Sequence, residues 1–369
     1  MITNNLNSDA IEEKFYIKVL LEEADLFESS CWNISSKNGI FLINPKNDFK
    51  RNIGNSAQIN LNEKQISINN KKLAHNIIQL GPVEGNLKFN NNEYHGSFFI
   101  IIHNEKLLLI NKVELENYIF SVLKTESWPG WPLEVNKAFA IASRSYVIAK
   151  FLETKNSKKQ IYHVKNTNKH QTYQGVHISP ILQQAVDETK GIVLGYNKKP
   201  ILAMFDICCG GVIPANIKHV NFAHAPYLAR KQACNFCKSY KLYEWQVDYN
   251  KKNLEEILKK ELPKLNDLKS IVVTQKDRAG LVKQIEIKDK RNRYFLTGKK
   301  LYSLLKNVKS FCFSIQKNLD KVTIKGKGFG HHLGICQWGA REMVEQNWDY
   351  ESVLKFYYPG VSFMKLHHK

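Results

Sequence analysis

The sequence predicts an α+β fold, with a small β-rich N-terminal domain over residues 1–95 and a larger mixed domain over residues 96–369. Hydrophobic residues make up 43% of the chain and charged residues 24%, a globular composition that excludes general disorder. Short alternating segments between Asn, Gly, Ser and Pro residues fill the first part, and helical periodicity begins after residue 110. No apolar run approaches the roughly 20 residues of a membrane span, so no transmembrane segment is expected.

The individual elements follow from the spacing of apolar residues and turn residues. Strands are expected where short apolar or alternating runs lie between turns, and residues 97–102 and 107–110 form an expected hairpin. A helix is expected from Pro132, because proline is favoured in the first helical turn. A final helix is expected from Ala340, after a glycine-rich loop. The other predicted strands are residues 14–21, 39–44, 64–69, 271–274, 283–288 and 321–324, and a further helix is predicted over residues 253–262.

Glu126 lies at the end of an apolar helical stripe. Tyr118 and Val122 share one face of a predicted helix, and Glu126 continues that face one turn later. Trp128 and Trp131 follow it, and aromatic rings suit the face of a sugar. In a partly apolar cleft, desolvation would raise the pKa of the carboxyl group and keep it protonated, as the protonation of a glycosidic oxygen requires. The open alternative is a carboxylate that caps or pairs at a helix end.

The glycine-rich loop, residues 326–339, is a second candidate site. Its glycines allow positive φ angles and a close approach of the backbone to a ligand, and His331 and Gln337 offer polar contacts. The loop lacks the GK[ST] ending of a phosphate-binding loop and the glycine spacing of a dinucleotide fingerprint. A tight structural turn with a buried histidine is the alternative. Cys336 is either an activated thiol near His331 or a small buried hydrophobic residue.

Four further cysteines, Cys208, Cys209, Cys234 and Cys237, lie within one stretch of the chain. Cysteine pairs two residues apart are typical of zinc sites, but a vicinal pair is not the usual second half of such a site. Zinc binding, disulfides and free thiols therefore all stay open from the sequence alone.

Positive charge is concentrated after the N-terminal region. Residues 1–100 carry 10 Lys or Arg and 11 Asp or Glu, whereas residues 101–369 carry 44 and 23. This surplus favours an acidic polymer as a partner, although a lysine-rich composition alone is the simpler explanation. No dense basic block with interleaved aromatic residues is present, so nucleic-acid binding is not expected. The N-terminus has no basic segment before an apolar run, so no secretory signal is expected.

Short motifs such as Trp131-Pro132-Leu133-Glu134, Gln171-Thr172-Tyr173-Gln174-Gly175 and Tyr357-Tyr358-Pro359-Gly360 follow one another along the chain. Together with further segments, they resemble the SpoIID/LytB family of bacterial cell-wall proteins, in that family's order. Position 332 is His where the family usually has Gly, and position 336 is Cys where Ser is usual. In zinc-binding members, cysteines precede the Gln of the QTYQG-like segment, but residues 164–170 contain none. The resemblance therefore implies neither that metal site nor a cofactor. The resembling segments are residues 113–119, 125–127, 131–138, 140–146, 171–175, 189–191, 209–211, 328–340 and 357–360.

The resemblance implies a SpoIID-like catalytic domain over residues 96–369 with lytic transglycosylase activity on peptidoglycan. The expected substrate is a glycan strand without stem peptides, cleaved between N-acetylmuramic acid and N-acetylglucosamine with formation of a 1,6-anhydro end. Glu126 aligns with the family's catalytic glutamate, the single general acid and base, and one carboxylate suffices because the sugar supplies the nucleophile. The implied substrate-binding residues are Arg144, Tyr146, Gln171, Tyr173, His331 and Gln337.

Some members of this family enhance cell-wall amidases, so a non-catalytic module that binds the wall or an amidase is the alternative function. Both functions imply a location in the cell envelope. For the enzyme, the loops that carry Glu126, Gln171 and His331 are expected to converge on one groove.

Overall fold

The chain is an α+β protein, which confirms the predicted fold class. A computed structural model describes residues 15–27, 30–44, 49–62, 65–128, 130–155, 157, 160–167, 170–318 and 320–366. Residues 1–14, which include the N-terminus examined for a secretory signal, lie outside the described residues. The chain divides into two compact units, the first comprising Met1–Leu202 with Phe363–Lys369 and the second Ala203–Ser362.

The strands and helices are numbered here in chain order. The strands are β1 (Tyr16–Asp25), β2 (Cys31–Ser35), β3 (Ile40–Ile43), β4 (Lys50–Asn52), β5 (Ser56–Asn62), β6 (Gln65–Ile68), β7 (Lys71–Lys72), β8 (Ile77–Pro82), β9 (Leu87–Phe89), β10 (Asn92–Tyr94), β11 (Ser97–His103), β12 (Lys106–Glu114), β13 (Val164–Lys165), β14 (Ile192–Tyr196), β15 (Lys199–Pro200), β16 (Phe205–Asp206), β17 (Glu244–Asn250), β18 (Ser270–Lys276), β19 (Val282–Lys288), β20 (Arg293–Thr297), β21 (Phe313–Lys317), β22 (Lys321–Lys327), β23 (Ile335–Cys336) and β24 (Ser362–Lys365). The helices are α1 (Leu115–Glu126), α2 (Leu133–Lys155), α3 (Pro180–Glu188), α4 (Lys251–Lys259), α5 (Gly298–Leu304), α6 (Gln337–Glu345) and α7 (Tyr350–Tyr357).

Two sheets build the β-rich part of the first unit. One has the strand order β13-β1-β12-β11-β8-β3-β4, and the other has the order β10-β9-β2-β5-β6-β7. The hairpin β11–β12 matches the sequence prediction, and its turn residues Asn104 and Glu105 both have positive φ, at 49° and 60°. Two consecutive residues with positive φ are typical of the turn type that follows the twist of paired strands.

The first sheet continues across residue 95, where the sequence analysis expected a domain boundary. β11 pairs with β8 on one side and with β12 on the other, and β12 pairs with β1. The β-rich N-terminal region is present, but its sheet is completed by strands from the segment that follows it. The compact units divide instead after Leu202.

α1 follows β12 directly and packs against α2. Glu114 caps α1 with its side chain, which accepts a hydrogen bond from the Asn117 N–H. α1 buries the apolar stripe seen in the sequence, whereas α2 is buried at every position of residues 138–149. A helix that is buried on all sides lies inside a core, so α2 is the central element on which this part of the unit is built.

The second unit combines two antiparallel sheets with a long irregular region. The sheets have the orders β17-β22-β21 and β18-β19-β20, and their apolar faces share a core with α4 and α5. Residues 203–243 contain little regular structure besides β16 and the short 3₁₀ turns Pro214–Asn216, Pro226–Leu228 and Phe236–Ser239. Among the described residues, none of the helices combines the length and the apolar content that crossing a bilayer requires.

α6 begins at Gln337, before the predicted start at Ala340. The reason is the side chain of Cys336, which caps the helix by accepting a hydrogen bond from the Gly339 N–H. Sulfur is a weak acceptor and cysteine is not a usual cap residue, so the spacing of apolar residues did not indicate this start.

Candidate functional site

Glu126 is the last residue of α1, and its half-buried carboxyl group contacts the segment around residue 172. Oε1 accepts a hydrogen bond of 2.9 Å from the Thr172 N–H. The hydroxyl of the preceding residue, Thr125, donates to the Thr172 carbonyl oxygen at 2.8 Å. These two bonds tie the end of the helix to one residue of the QTYQG segment, so the position of the carboxyl group is fixed.

Burial raises the pKa of Glu126 above its ordinary value, and the hydrogen bonds from Thr172 offset part of that rise. Desolvation disfavours the charged form of a carboxyl group, whereas donors aimed at the carboxylate favour it. The end of a helix adds a further unfavourable influence on a negative charge, because the free carbonyl groups there carry partial negative charge. The local environment therefore favours a protonated carboxyl group that still has a hydrogen-bond anchor.

The segment after Glu126 carries a pair of stacked tryptophan rings. The rings of Trp128 and Trp131 lie 5.8 Å apart between centroids with an interplanar angle of 12°. Trp131 is buried, and Trp128 is 52% exposed. Asn136 holds this segment by accepting from the Ser127 hydroxyl and by donating to the Trp131 carbonyl oxygen at 3.0 Å. An exposed ring supported by a buried one offers a flat apolar surface close to Glu126 in the chain.

Gln171 and Tyr173 flank Thr172, and both side chains are directed inward. The Tyr118 hydroxyl donates to Gln171 Oε1 at 2.9 Å, and the Tyr173 hydroxyl donates to Asn111 Oδ1 at 2.7 Å. Each of the two residues is about 1% exposed. Their contacts hold the backbone of the segment in place, so the residue that reaches Glu126 is Thr172 and not either predicted neighbour.

Arg144 is fully buried in α2 and forms a two-pronged ion pair with Glu116 of α1. Nε donates to Oε1 at 3.0 Å and Nη2 donates to Oε2 at 2.7 Å. Nη1 donates to the Ile192 carbonyl oxygen at 3.0 Å, and the Gly191 N–H donates to Glu116. The guanidinium group thus joins α1, α2 and β14 in the interior, and it exposes no surface to a sugar.

Tyr146, two residues along α2 from the buried arginine, is 8% exposed. Burial, with a smaller effect from Glu153, raises its pKa to about 12. Its ring meets the ring of His170 edge-on at 6.4 Å. The hydroxyl of Tyr146 therefore keeps its proton at any physiological pH and can act only as a neutral hydrogen-bonding group.

His331 and Gln337 lie in the second unit, whereas Glu126 and Gln171 lie in the first. His331 Nδ1 accepts a hydrogen bond of 3.1 Å from the Leu333 N–H, and burial lowers the pKa of this histidine to about 4. His331 is thus a neutral ring near pH 7. Gln337 is the first residue of α6 and is 5% exposed. The convergence of these residues on one groove with Glu126 stays a prediction.

The two departures from the family pattern both have structural consequences. His332 adopts a φ of 67°, a conformation that favours glycine, and its N–H donates to Asp206 Oδ2 at 2.7 Å. Cys336 is fully buried, and its Sγ accepts hydrogen bonds from the N–H groups of Cys209 and Gly339 at 3.2 and 3.3 Å. Burial and the neighbouring thiols raise the pKa of Cys336, and a thiol without exposed surface is a poor nucleophile.

Sequence reasoning missed Glu116 and Thr172. A signal for Glu116 existed, because Arg144 interrupts an otherwise apolar helix and a buried arginine requires an anionic partner. Thr172 acts on Glu126 through its backbone N–H and also through its side chain. Every residue type except proline has a backbone N–H, so that part of the contact leaves no pattern of side chains in the sequence.

Comparison with known proteins gives two family matches along the chain. Residues 103–196 match the model described as Stage II sporulation protein, SpoIID, and residues 179–334 match a domain of unknown function, DUF8618. The first match contains α1, α2 and the segment of residues 171–175, and therefore the whole surroundings of Glu126 described above. The second match contains the irregular region of the second unit and His331.

Three relatives illustrate the range of similar proteins. The chain is 34% identical over 275 residues to an uncharacterized protein of Brachyspira hyodysenteriae, an alignment that covers 74% of this chain and 72% of that protein. It is 28% identical over 287 residues to the amidase enhancer of Bacillus subtilis, covering 65% of this chain and 39% of that protein. It is 26% identical over 268 residues to stage II sporulation protein D of Bacillus subtilis, covering 68% and 74%. With the SpoIID match spanning the helices around Glu126, the chain belongs to the SpoIID family.

Proposed function

We propose that the chain is a peptidoglycan lytic transglycosylase in which Glu126 is the single general acid and base. The observation that supports this proposal is the half-buried carboxyl group whose pKa burial raises, held by the Thr172 N–H at 2.9 Å. A carboxyl group that keeps its proton to a higher pH than an ordinary glutamate and has a fixed position suits the protonation of a leaving oxygen.

The reaction begins when the Glu126 carboxyl group donates its proton to the oxygen that links N-acetylmuramic acid to N-acetylglucosamine. The bond from C1 of the muramic acid to this oxygen breaks, and positive charge develops on the ring. The Glu126 carboxylate then removes the proton of the 6-hydroxyl group, whose oxygen bonds to C1 and closes the 1,6-anhydro ring. The sugar supplies the nucleophile, so the second carboxylate of a hydrolase is not required.

Two further features fit a glycan strand as the substrate. The exposed ring of Trp128, backed by Trp131, offers a face for a sugar ring. The excess of basic residues after residue 100 suits an acidic wall polymer. Because peptidoglycan lies outside the cytoplasmic membrane, the proposal places the protein in the cell envelope.

The decisive experiment incubates the purified chain with glycan strands from which the stem peptides have been removed. Mass spectrometry then searches for 1,6-anhydro ends. Wild type is expected to form them and Glu126→Gln is not, whereas Glu134→Gln, at a glutamate that pairs with Lys137 on α2, is expected to match wild type. No product from wild type would refute the enzyme, and equal product from Glu126→Gln would refute the role of Glu126.

The second candidate function is the stimulation of a cell-wall amidase, which the name of the Bacillus subtilis relative supports. The chain aligns with only 39% of the amidase enhancer, so the similarity does not show that the two proteins share a partner. The test adds the chain to intact peptidoglycan together with a purified N-acetylmuramoyl-L-alanine amidase and measures peptide release. Stimulation that is unchanged in Glu126→Gln, without anhydro ends, would favour the enhancer over the enzyme.

A further inference from the structure

Four buried cysteines of the second unit face one another. The Sγ atoms of Cys209, Cys234, Cys237 and Cys336 all lie within 4.8 Å of one another, and those of Cys209 and Cys237 are 3.7 Å apart. The sequence suggested Cys208 as the fourth member, but the fold brings in Cys336, which lies 99 residues or more from the other three in the chain. We propose that these four thiolates bind one Zn²⁺ ion, at a place in the chain different from the zinc site of the SpoIID/LytB family.

The spacing of the sulfur atoms fits a tetrahedral zinc site. A Zn–S bond of about 2.3 Å places the four sulfur atoms of a tetrahedron about 3.8 Å apart. The largest separation of 4.8 Å exceeds this value by only about 1 Å, which small side-chain rotations can close. Four soft ligands in tetrahedral arrangement favour zinc over magnesium, calcium or manganese. A site whose four positions are all taken by protein is closed, so the ion would be structural and not catalytic.

Hydrogen-bonding groups approach two of the four sulfur atoms, those of Cys336 and Cys234. The N–H groups of Cys209 and Gly339 point at Cys336 Sγ from 3.2 and 3.3 Å. The Tyr357 hydroxyl lies 3.2 Å from Cys234 Sγ. Donors to a ligand sulfur stabilise its negative charge, and such outer contacts tune and orient metal ligands. Cys336 also caps α6, where the helix dipole favours an anion.

Gly339 packs so closely against the thiols that a side chain at this position would clash. A Cβ atom at Gly339 would lie 2.8 Å from Cys234 Sγ and 2.2 Å from the Tyr357 hydroxyl oxygen. Only a residue without a side chain allows α6 to start this close to the sulfur atoms. The helix and the thiols are therefore packed as one assembly, and it joins three segments that are far apart in the sequence.

The region around the thiols contains little regular secondary structure. Residues 203–243 contain mainly β16, short 3₁₀ turns and loops, and so they bury little regular structure. A structural zinc ion contributes directly to the free energy of folding in such regions. The site would fix Cys336, and with it the start of α6, where Gln337 is the next residue. The proposed role of the ion is thus structural: it would stabilise the irregular part of the second unit.

Disulfides are the main alternative, because two of the cysteines have the spacing of a redox motif. A disulfide would join two of the four sulfurs at about 2.05 Å and leave the other two unused. It would not account for a fourth cysteine that approaches from the N-terminus of α6 with N–H donors aimed at its sulfur. Convergence of all four on one point is explained by a shared ion.

The test uses the full-length chain purified with a mild reductant and without chelators. Elemental analysis is expected to find about one zinc ion per chain. Replacement of zinc by Co²⁺ is expected to give the intense near-ultraviolet and visible absorption of a tetrahedral thiolate site. Removal of zinc by a chelator is expected to lower the thermal midpoint, and zinc but not magnesium is expected to restore it.

Single variants then assign the ligands. Cys237→Ser and Cys336→Ser are expected to lose most of the zinc, whereas Cys312→Ser, at a half-buried cysteine of the same unit that is outside the four, is expected to keep it. Cys208→Ser is the sharpest control, because it is adjacent in sequence to a proposed ligand, and it too is expected to keep the ion. If the ligand variants fail to fold, the metal content and the Co²⁺ spectrum of the wild type carry the test.

Several results would overturn the proposal. One is a wild-type chain with zinc well below one ion per molecule, and another is iron in place of zinc. A third is a disulfide among the four cysteines, detected by mass spectrometry after alkylation without reduction. Loss of zinc from Cys208→Ser would reject the assignment of Cys209 as the ligand.

Discussion

The end of α1 and the start of α6 place two ionisable side chains at helix ends of opposite dipole charge. Glu126 is the last residue of α1, where the helix dipole and burial both disfavour negative charge. Cys336 caps α6, where the dipole and the nearby N–H groups favour negative charge, although burial and the neighbouring thiols raise the pKa of its thiol group. The first arrangement suits a carboxyl group that must carry a proton, and the second suits a thiolate. The two helix ends therefore agree with the two proposals, a protonated carboxyl group in one unit and a metal-bound thiolate in the other.

The two regions also differ in how far their side chains are buried. Glu126 is half-buried and anchored to one residue of the opposite segment, whereas the thiols are buried completely. A group that must meet substrate has to keep some exposure, while a structural group gains from complete burial. The comparison predicts that changes at Glu126 affect activity more than stability, and that changes at buried pairs and thiols affect stability first.

The largest expected effect is the loss of activity in Glu126→Gln. Glutamine has nearly the same shape but cannot donate or accept the proton, so the rate of glycan cleavage should fall by about 10²–10⁴-fold. Chromatography of the released anhydro products measures this rate. A matching loss of thermal stability in the same variant would contradict the comparison, because it would make Glu126 a structural residue.

The next effect is expected at the buried pair of Arg144 and Glu116. Arg144→Met removes the cation that holds the Glu116 carboxylate, and an uncompensated buried charge costs about 3–5 kcal/mol. Denaturant unfolding of the variant measures the change. Adding Glu116→Gln to Arg144→Met should restore part of the lost stability, because no charge then remains. A variant as stable as wild type would show that the pair is not the junction of α1, α2 and β14.

A smaller effect is expected from Gly339→Ala. The new methyl group would overlap the Tyr357 hydroxyl and crowd Cys234 Sγ, and overpacking of this kind costs about 1–3 kcal/mol. Thermal unfolding of the second unit, followed together with its metal content, measures the change. Gly130→Ala is the matched control, because a Cβ atom at Gly130 meets nothing within 4 Å. Equal effects of the two substitutions would contradict the tight start of α6.

The smallest effect concerns the dependence of stability on pH. The pKa of Glu126 is raised in the folded chain, so its contribution to stability is complete below the ordinary glutamate pKa and is lost as the pH rises through the raised value. Glutamine does not ionise, so its contribution to stability does not fall as the pH rises. Glu126→Gln should therefore be slightly more stable than wild type at neutral pH, and the difference should vanish in acid. Thermal midpoints of both proteins across this range measure it, and the opposite order at neutral pH would indicate a lowered pKa.

Much of the fold was predictable where local spacing decides the structure. The period of Tyr118 and Val122 predicted α1 and placed Glu126 at its end, and both are confirmed. The hairpin of β11 and β12 followed from two apolar runs around a polar turn. The start of α6 was wrong in the prediction, because Cys336 caps it by a contact that spacing does not encode.

The sequence indicated which residues belong to the candidate site, but it did not indicate what each side chain contacts. Arg144, Gln171 and Tyr173 were expected to bind sugar, but their side chains are buried and hold α1, α2 and the QTYQG segment in place. A sequence motif records which residues are needed and does not record which of them face solvent. Thr172 contacts Glu126 through its backbone N–H and its side chain, and the backbone part of this contact leaves no signature in the sequence.

The sequence by itself determined the α+β class, the helix that ends at Glu126 and the family to which the chain belongs, because these depend on short-range periodicity and on motifs in a fixed order. Only the tertiary structure decided which side chains are buried, that Arg144 pairs with Glu116, and that Cys336 joins three cysteines from another part of the chain. Contacts between residues far apart in the sequence depend on how elements pack in space. No local pattern specifies that packing.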